Sequence, residues 1–140
     1  MFSGIFRHQL DAKNRMRIPA KFREELGENY TITCGTGGCL FVFNEEEMNK
    51  LKEELSKISI FDVEAQKSLR PFVAFSWDAE EDKQGRILIP EDLRKYAKLD
   101  KDVVTIKNIN HYEIWSSEVW NANMGEPDFS SLAKALGNLK

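Results

Sequence analysis

At 140 residues the chain is long enough for one domain with a real core, and its 41% hydrophobic and 31% charged residues are ordinary for a globular protein. No apolar run approaches membrane-spanning length, which excludes a helical membrane protein, and Met1-Phe2-Ser3-Gly4 leads into a strand, not into a basic and apolar export signal. A net charge of −3 argues against a protein that holds polyanions by overall charge, and a cytoplasmic protein is expected.

The distribution of that charge argues the other way. Residues 1–23 hold Arg7, Lys13, Arg15, Arg17, Lys21 and Arg23 against the single acid Asp11, a balance of +5, while the remainder carries 14 bases and 22 acids. A chain polarised in this way offers a polyanion one basic end. Within that end, residues 5–10 read as a strand, returned by a turn at Lys13-Asn14 through Arg15-Met16-Arg17-Ile18. Met16 and Ile18 share one face of the return strand, and Arg15 and Arg17 share the other, beside Lys13. Asp11 can fold its carboxylate back on the turn amides, and Asn14 suits a left-handed backbone. Ile18-Pro19 then marks an extended residue followed by a preset first helical position. The helix from Pro19 keeps Phe22 and Leu26 on one side and is stopped by Gly27.

Two β-rich runs follow, Tyr30-Thr31-Ile32-Thr33 and Leu40-Phe41-Val42-Phe43, and Asn44 is a good N-cap for a helix over residues 45–57. Its stripe of Met48, Leu51 and Leu55 predicts a core-facing seam. A second helix starts near Asp62 and runs through Ala65 and Leu69. Pro71 is expected to stop or kink it, leaving residues 72–78 as a strand.

At that strand the chain begins again. Asp82-Lys83-Gln84-Gly85-Arg86-Ile87-Leu88-Ile89-Pro90-Glu91-Asp92-Leu93-Arg94 matches Asp11 to Arg23 at five of thirteen positions, 71 residues on. Three more positions swap within a physical class: Asn14 for Gly85, Met16 for Ile87, Phe22 for Leu93. Val103-Val104-Thr105-Ile106, Tyr112-Glu113-Ile114-Trp115 and the N-cap Ser116 answer the later elements of the first copy. Each half therefore reads β-β-α-β-β-α, packed on one core: an α+β protein, mainly β. Residues 5–47 form the first repeat, 48–75 a helical connector, 76–119 the second repeat and 120–140 a tail with a short, weakly held helix.

The residues that build the turns repeat: Asp11 and Pro19, Asp82, Gly85, Arg86 and Pro90. The basic ones do not, since Gln84 stands for Lys13 and Leu88 for Arg17, after the acids Glu80, Glu81 and Asp82. Arg86 reads as a turn-stapling partner of Asp82. Arg7, Lys13, Arg15 and Arg17 are the candidate polyanion-binding set. No phosphate loop, dinucleotide-binding pattern, nucleophile elbow or metalloprotease helix occurs, and no catalytic residue, metal or cofactor is expected. A zinc site would need Cys34, Cys39, His8 and His111 to converge, and the two cysteines read as small residues flanking a glycine-rich hairpin loop.

The double Asp-x-x-x-Arg motif with Ile-Pro after it, the opening Met1-Phe2-Ser3-Gly4, the stretch Gly38-Cys39-Leu40-Phe41-Val42-Phe43 and Ile114-Trp115-Ser116 together resemble the MraZ family of bacterial transcriptional regulators. The resemblance implies two AbrB-like swapped-hairpin repeats in a pseudo-two-fold β-barrel flanked by helices. It implies a nucleoid-associated DNA-binding repressor of a division and cell-wall gene cluster, assembled as a ring-shaped homo-oligomer. Such a ring reads short repeated boxes in its own promoter through the positions held here by Lys13, Asn14, Arg15 and Arg17, with no membrane or small-molecule partner. Asn14 departs from the glycine more usual at that turn. Two other classes stay open: an oligomeric or antitoxin-like partner-binding module on the same fold, and a small metal-dependent enzyme.

Overall fold

Two matching series of elements make up the computed structural model, which describes residues 4–139; Met1, Phe2 and Ser3, part of the resemblance, lie outside the described residues. The first series is β1 (Ile5–Gln9), β2 (Arg15–Arg17), α1 (Ala20–Leu26), β3 (Tyr30–Cys34), β4 (Leu40–Asn44) and α2 (Glu45–Leu55). After α3 (Val63–Ala74) comes the second: β5 (Trp77–Asp78), β6 (Arg86–Leu88), α4 (Glu91–Tyr96), β7 (Asp102–Lys107), β8 (Tyr112–Ser116) and α5 (Ser117–Asn123). A last helix, α6 (Ser130–Gly137), closes the chain. The protein is α+β, mainly β, with its strands in two antiparallel sheets.

The hairpins do not pair on themselves. One sheet runs β1-β7-β8-β4-β3-β5 and the other is β2-β6. Each copy's first strand pairs with the third strand of the other copy, and the two second strands pair together, so the order reads the same from either edge. The return strand expected beside β1 therefore leaves it. Only the base of the turn is closed, by Asp11 N–H to the Arg15 carbonyl at 2.8 Å. The physical reason is burial. Pairing β2 with β6 sets Met16 opposite Ile87, and both side chains are removed from water by residues of both copies, which a local hairpin would leave exposed.

One core serves both halves. Phe22, Ile32, Leu40, Val42, Ile87, Ile89, Leu93, Val103 and Ile114 are buried in it, and the Phe22 ring meets those of Phe6 and Tyr112, each at 4.9 Å between centroids. The caps fall where expected. Asn44 accepts from Glu47 N–H at 2.8 Å and Ser116 from Val119 N–H at 3.4 Å.

Three local readings need correction. Pro19 and Pro90 are not first helical residues. They sit one position earlier, with extended ψ of 136° and 147°, and their fixed φ serves as the entry to each helix. Residues 72–78 are not one strand, because α3 runs through Pro71 to Ala74 and only Trp77–Asp78 is extended. Proline removes one donor near the end of a twelve-residue helix. The last turn holds because Phe75 N–H still reaches the Pro71 carbonyl at 3.0 Å, while the Phe72 carbonyl accepts the hydroxyls of Thr33 and Ser76 at 2.9 and 2.7 Å. Finally, the α2 stripe is only partly core. Met48 is buried, whereas Leu51 and Leu55 are half-buried along a groove between α2 and α3.

Candidate nucleic-acid interface

Each turn is built by one aspartate. Asp11 Oδ1 accepts the N–H groups of Lys13 and Arg15, and Oδ2 accepts Arg15 Nε, all at 2.9 Å. Asp82 does the same for Gln84 and Arg86 N–H and for Arg86 Nε, at 2.8, 2.9 and 2.9 Å. Asn14 and Gly85 donate to the carbonyl of their own aspartate at 3.0 Å, with φ of 61° and 76°. The left-handed position read from the Asn/Gly swap is thus present in both copies. Donated amides, from Arg15 in one turn and Arg86 in the other, hold both carboxyls below the usual aspartate range.

The two turns face each other. Arg15 Nη1 lies 4.0 Å from Asp82 Oδ2 and Arg86 Nη1 lies 3.9 Å from Asp11 Oδ2, so the two aspartates and two arginines form one crossed quartet. Both arginines are equally engaged, with side chains 25% and 28% exposed. The stapling read from sequence for Arg86 alone therefore belongs to Arg15 as well. Around the quartet stand Lys13 and Arg17, both exposed, on β2 and its turn, and the exposed Lys83 and Leu88 on the second copy. The register sets Arg15 opposite Leu88 and Arg17 opposite Arg86 on the outward face of the ribbon. Five bases, Lys13, Arg15, Arg17, Lys83 and Arg86, against Asp11 and Asp82 leave this surface at +3.

Lys83 was not singled out from the sequence, because the acids before it suggested a repelling turn. Glu81 does not act in that way. Its carboxylate turns inward to Arg23 Nε at 2.6 Å and the Tyr30 hydroxyl at 2.7 Å. The repeat held the signal, since Lys83 occupies the turn position of Ala12, next to that of Lys13. Arg7 is not brought to the turns. It lies on β1 opposite Val104, lining a shallow cleft with Gln9, Asp102 and Ser117.

The other candidates disperse. His8 Nε2 is 2.7 Å from Thr105 Oγ1, and burial pulls its pKa down. His111 Nε2 is 2.8 Å from Glu113, whose other oxygen accepts Trp115 Nε1 at 3.0 Å. Cys34 and Cys39 flank the glycine-rich β3–β4 loop, Cys39 fully buried with its thiol pushed up to about 12 by that burial and by the charge of Glu113. Among the described residues no group of three His, Cys, Asp or Glu is placed to hold a metal ion. No described helix is long and apolar enough to cross a membrane.

The family model described as "MraZ protein, putative antitoxin-like" matches residues 1–71 and 78–136. A protein of Carboxydothermus hydrogenoformans named transcriptional regulator MraZ is 46% identical over 138 residues, covering 97% of this chain and 96% of that one. Similar proteins of the same name from Thermoanaerobacter sp. (strain X514) and Clostridium tetani are 43% and 41% identical, each alignment covering 99% of both chains.

Proposed function

The chain belongs to the MraZ family, whose curated members are named as transcriptional regulators and not as enzymes, and from that premise we propose that it regulates transcription by binding double-stranded DNA through its paired turns. The observation that carries this reading is the crossed quartet. It sets two turns side by side, so that Lys13, Asn14, Arg15 and Arg17 of the first copy form one basic face with Lys83 and Arg86 of the second. Arg15 is clamped at Nε by Asp11, so less side-chain freedom is lost when its terminal nitrogens meet an acceptor. Arg15 or Arg17 is the residue to reach guanine edges in the major groove, with Lys13 on phosphate. Arg7 contributes only to the wider field. Residues 5–47 serve as the principal DNA-contacting repeat, 76–119 as its partner, 48–75 as the connector and 120–140 as the tail.

One such face makes few phosphate contacts, and its affinity at physiological salt is on the order of 10⁻⁴ to 10⁻⁶ M. Specific binding then needs several faces at once, and linkage raises apparent affinity by about 10² to 10⁴. A head-to-tail ring of copies presents its faces in one rotational sense and suits direct repeats spaced by one turn, about 10 bp. The full reading is a cytoplasmic, nucleoid-associated repressor that binds promoter direct repeats of its own division and cell-wall cluster as a ring-shaped homo-oligomer. No membrane or small-molecule partner enters it. A shift assay with DNA upstream of its own gene, repeated across a salt series, tests it. Retention that falls linearly in log salt and exceeds that of unrelated DNA is expected. The second reading, an antitoxin-like module that binds a protein partner and not DNA, is favoured by the pairing of both arginines with aspartates. Equal, negligible retention at every salt concentration would select it.

A further inference from the structure

We infer that α6 of one copy docks in the groove between α2 and α3 of the next. The tail helix carries Leu132 and Leu136 one turn apart, with Phe129 at its N-cap and Leu139 just past its end, and all four are at least 57% exposed. A helix of eight residues does not stand alone in water without a partner for such a stripe. The groove is the complementary feature. It has a volume of about 430 Å³, and its walls are almost wholly apolar, built from Phe41 and Phe43 beneath with Leu51, Leu55, Leu69 and Phe72 at the sides. At its end the α2–α3 loop exposes Ile60 and Phe61, at 78% and 85%.

The chain's own helix leaves that groove open. The tail departs from α5, which packs on β7 and β8, whereas the groove lies over β3 and β4 on the other half of the sheet. Charge fits the exchange. The walls α2 and α3 together carry six acids and four bases, and α6 carries one lysine and no acid. Each copy has one helix to give and one groove to fill. The contact is therefore head-to-tail, repeated around a closed assembly. This deepens the proposed function by naming the contact between copies, and rests on that reading only for the existence of the assembly.

The test is disulfide trapping in full-length protein with Cys34→Ser and Cys39→Ser. One tagged chain carries Leu55→Cys and a differently tagged chain carries Leu132→Cys; after mixing and mild oxidation, a covalent dimer bearing both tags is expected. A chain carrying both substitutions that closes only on itself, as a monomer, assigns the groove to its own tail and overturns the inference. Absence of either link overturns it as well. Leu132→Glu with Leu136→Glu should lower the solution mass towards the 16.2 kDa of one chain while the circular dichroism of the folded protein is kept. An unchanged mass counts against the docking. DNA retention by the unsubstituted protein is read separately. Failure to cross-link with salt-dependent retention intact overturns only the docking, and cross-linking without retention overturns only the regulator reading.

Discussion

The turn at Asp11 to Arg15 and the turn at Asp82 to Arg86 have the same backbone and different surfaces. Donor for donor, the two aspartates make the same hydrogen bonds within 0.1 Å. Yet Lys13 answers to Gln84, and Arg17 to Leu88. The residues that define the turn are common because each satisfies backbone groups that any such turn must satisfy. The outward ones are free to differ, since nothing in the core depends on them. The asymmetry between the copies is therefore carried by side chains at the rim of the quartet, and the two arginines inside it are structurally alike.

The largest effect should come from those arginines. Arg15→Ala is expected to weaken operator binding by about 1 to 3 kcal/mol per site, multiplied over every face engaged, and Arg86→Ala by less, because Arg15 follows Lys13 in its turn where Arg86 follows the uncharged Gln84 and the acid Glu80. Operator affinity across a salt series, with assembly checked by light scattering, measures both. Equal losses would mean that the quartet acts as one unit and that both copies touch DNA. Next is the backbone. Asn14→Val places a β-branched residue at φ 61° and should cost about 1 to 3 kcal/mol, seen in a thermal melt, while Asn14→Gly should be tolerated as Gly85 already is.

A smaller effect sharpens the contrast at the rim. Exchanging the equivalent residues, Arg17→Leu in one protein and Leu88→Arg in another, should shift the salt slope of binding by about 0.9 in opposite directions, if each side chain meets one phosphate. An unchanged slope for Leu88→Arg would place the second strand away from DNA. The smallest effect is on acid stability. Both carboxyls lie below their unfolded range, so their contribution is present above about pH 3.9 and is lost as pH falls further, through the folded values. Asp11→Asn and Asp82→Asn should flatten the acid limb of melting temperature against pH alike. A difference between them would break the equivalence of the two turns.

Much of this was legible in the residues. The Asn/Gly swap announced a left-handed turn, alternation in Arg15-Met16-Arg17-Ile18 separated inside from outside, and Asn44 and Ser116 marked their helices. What sequence could not supply was the partner of each strand. β1 and β2 carry the same alternation whether they pair with each other or with the second copy, and only burial in three dimensions separates the two. Pro71 reads as a stop because the sequence shows the lost donor and not the Thr33 and Ser76 hydroxyls that close the helix end. Lys83 is masked in the sequence by the acids before it, because along the chain Glu81 looks free, although in space it belongs to Arg23 and Tyr30.

The exchange of first strands has a consequence for how the molecule is made. Ile5 pairs with Ile106, 101 residues later, so the first strand leaves the ribosome long before its partner exists. Closing so long a loop is entropically costly and comes late, and such non-local pairing folds slowly. For most of synthesis β1 presents an open edge, with Phe6 awaiting its cross-strand neighbour Thr105. Neither copy can finish its share of the sheet alone, so nascent chains pass through a period in which one copy's first strand can be captured by another molecule's β7. The fold thus carries a built-in route to mispairing between chains, which dilution should suppress and slower translation, by prolonging the open edge, should favour.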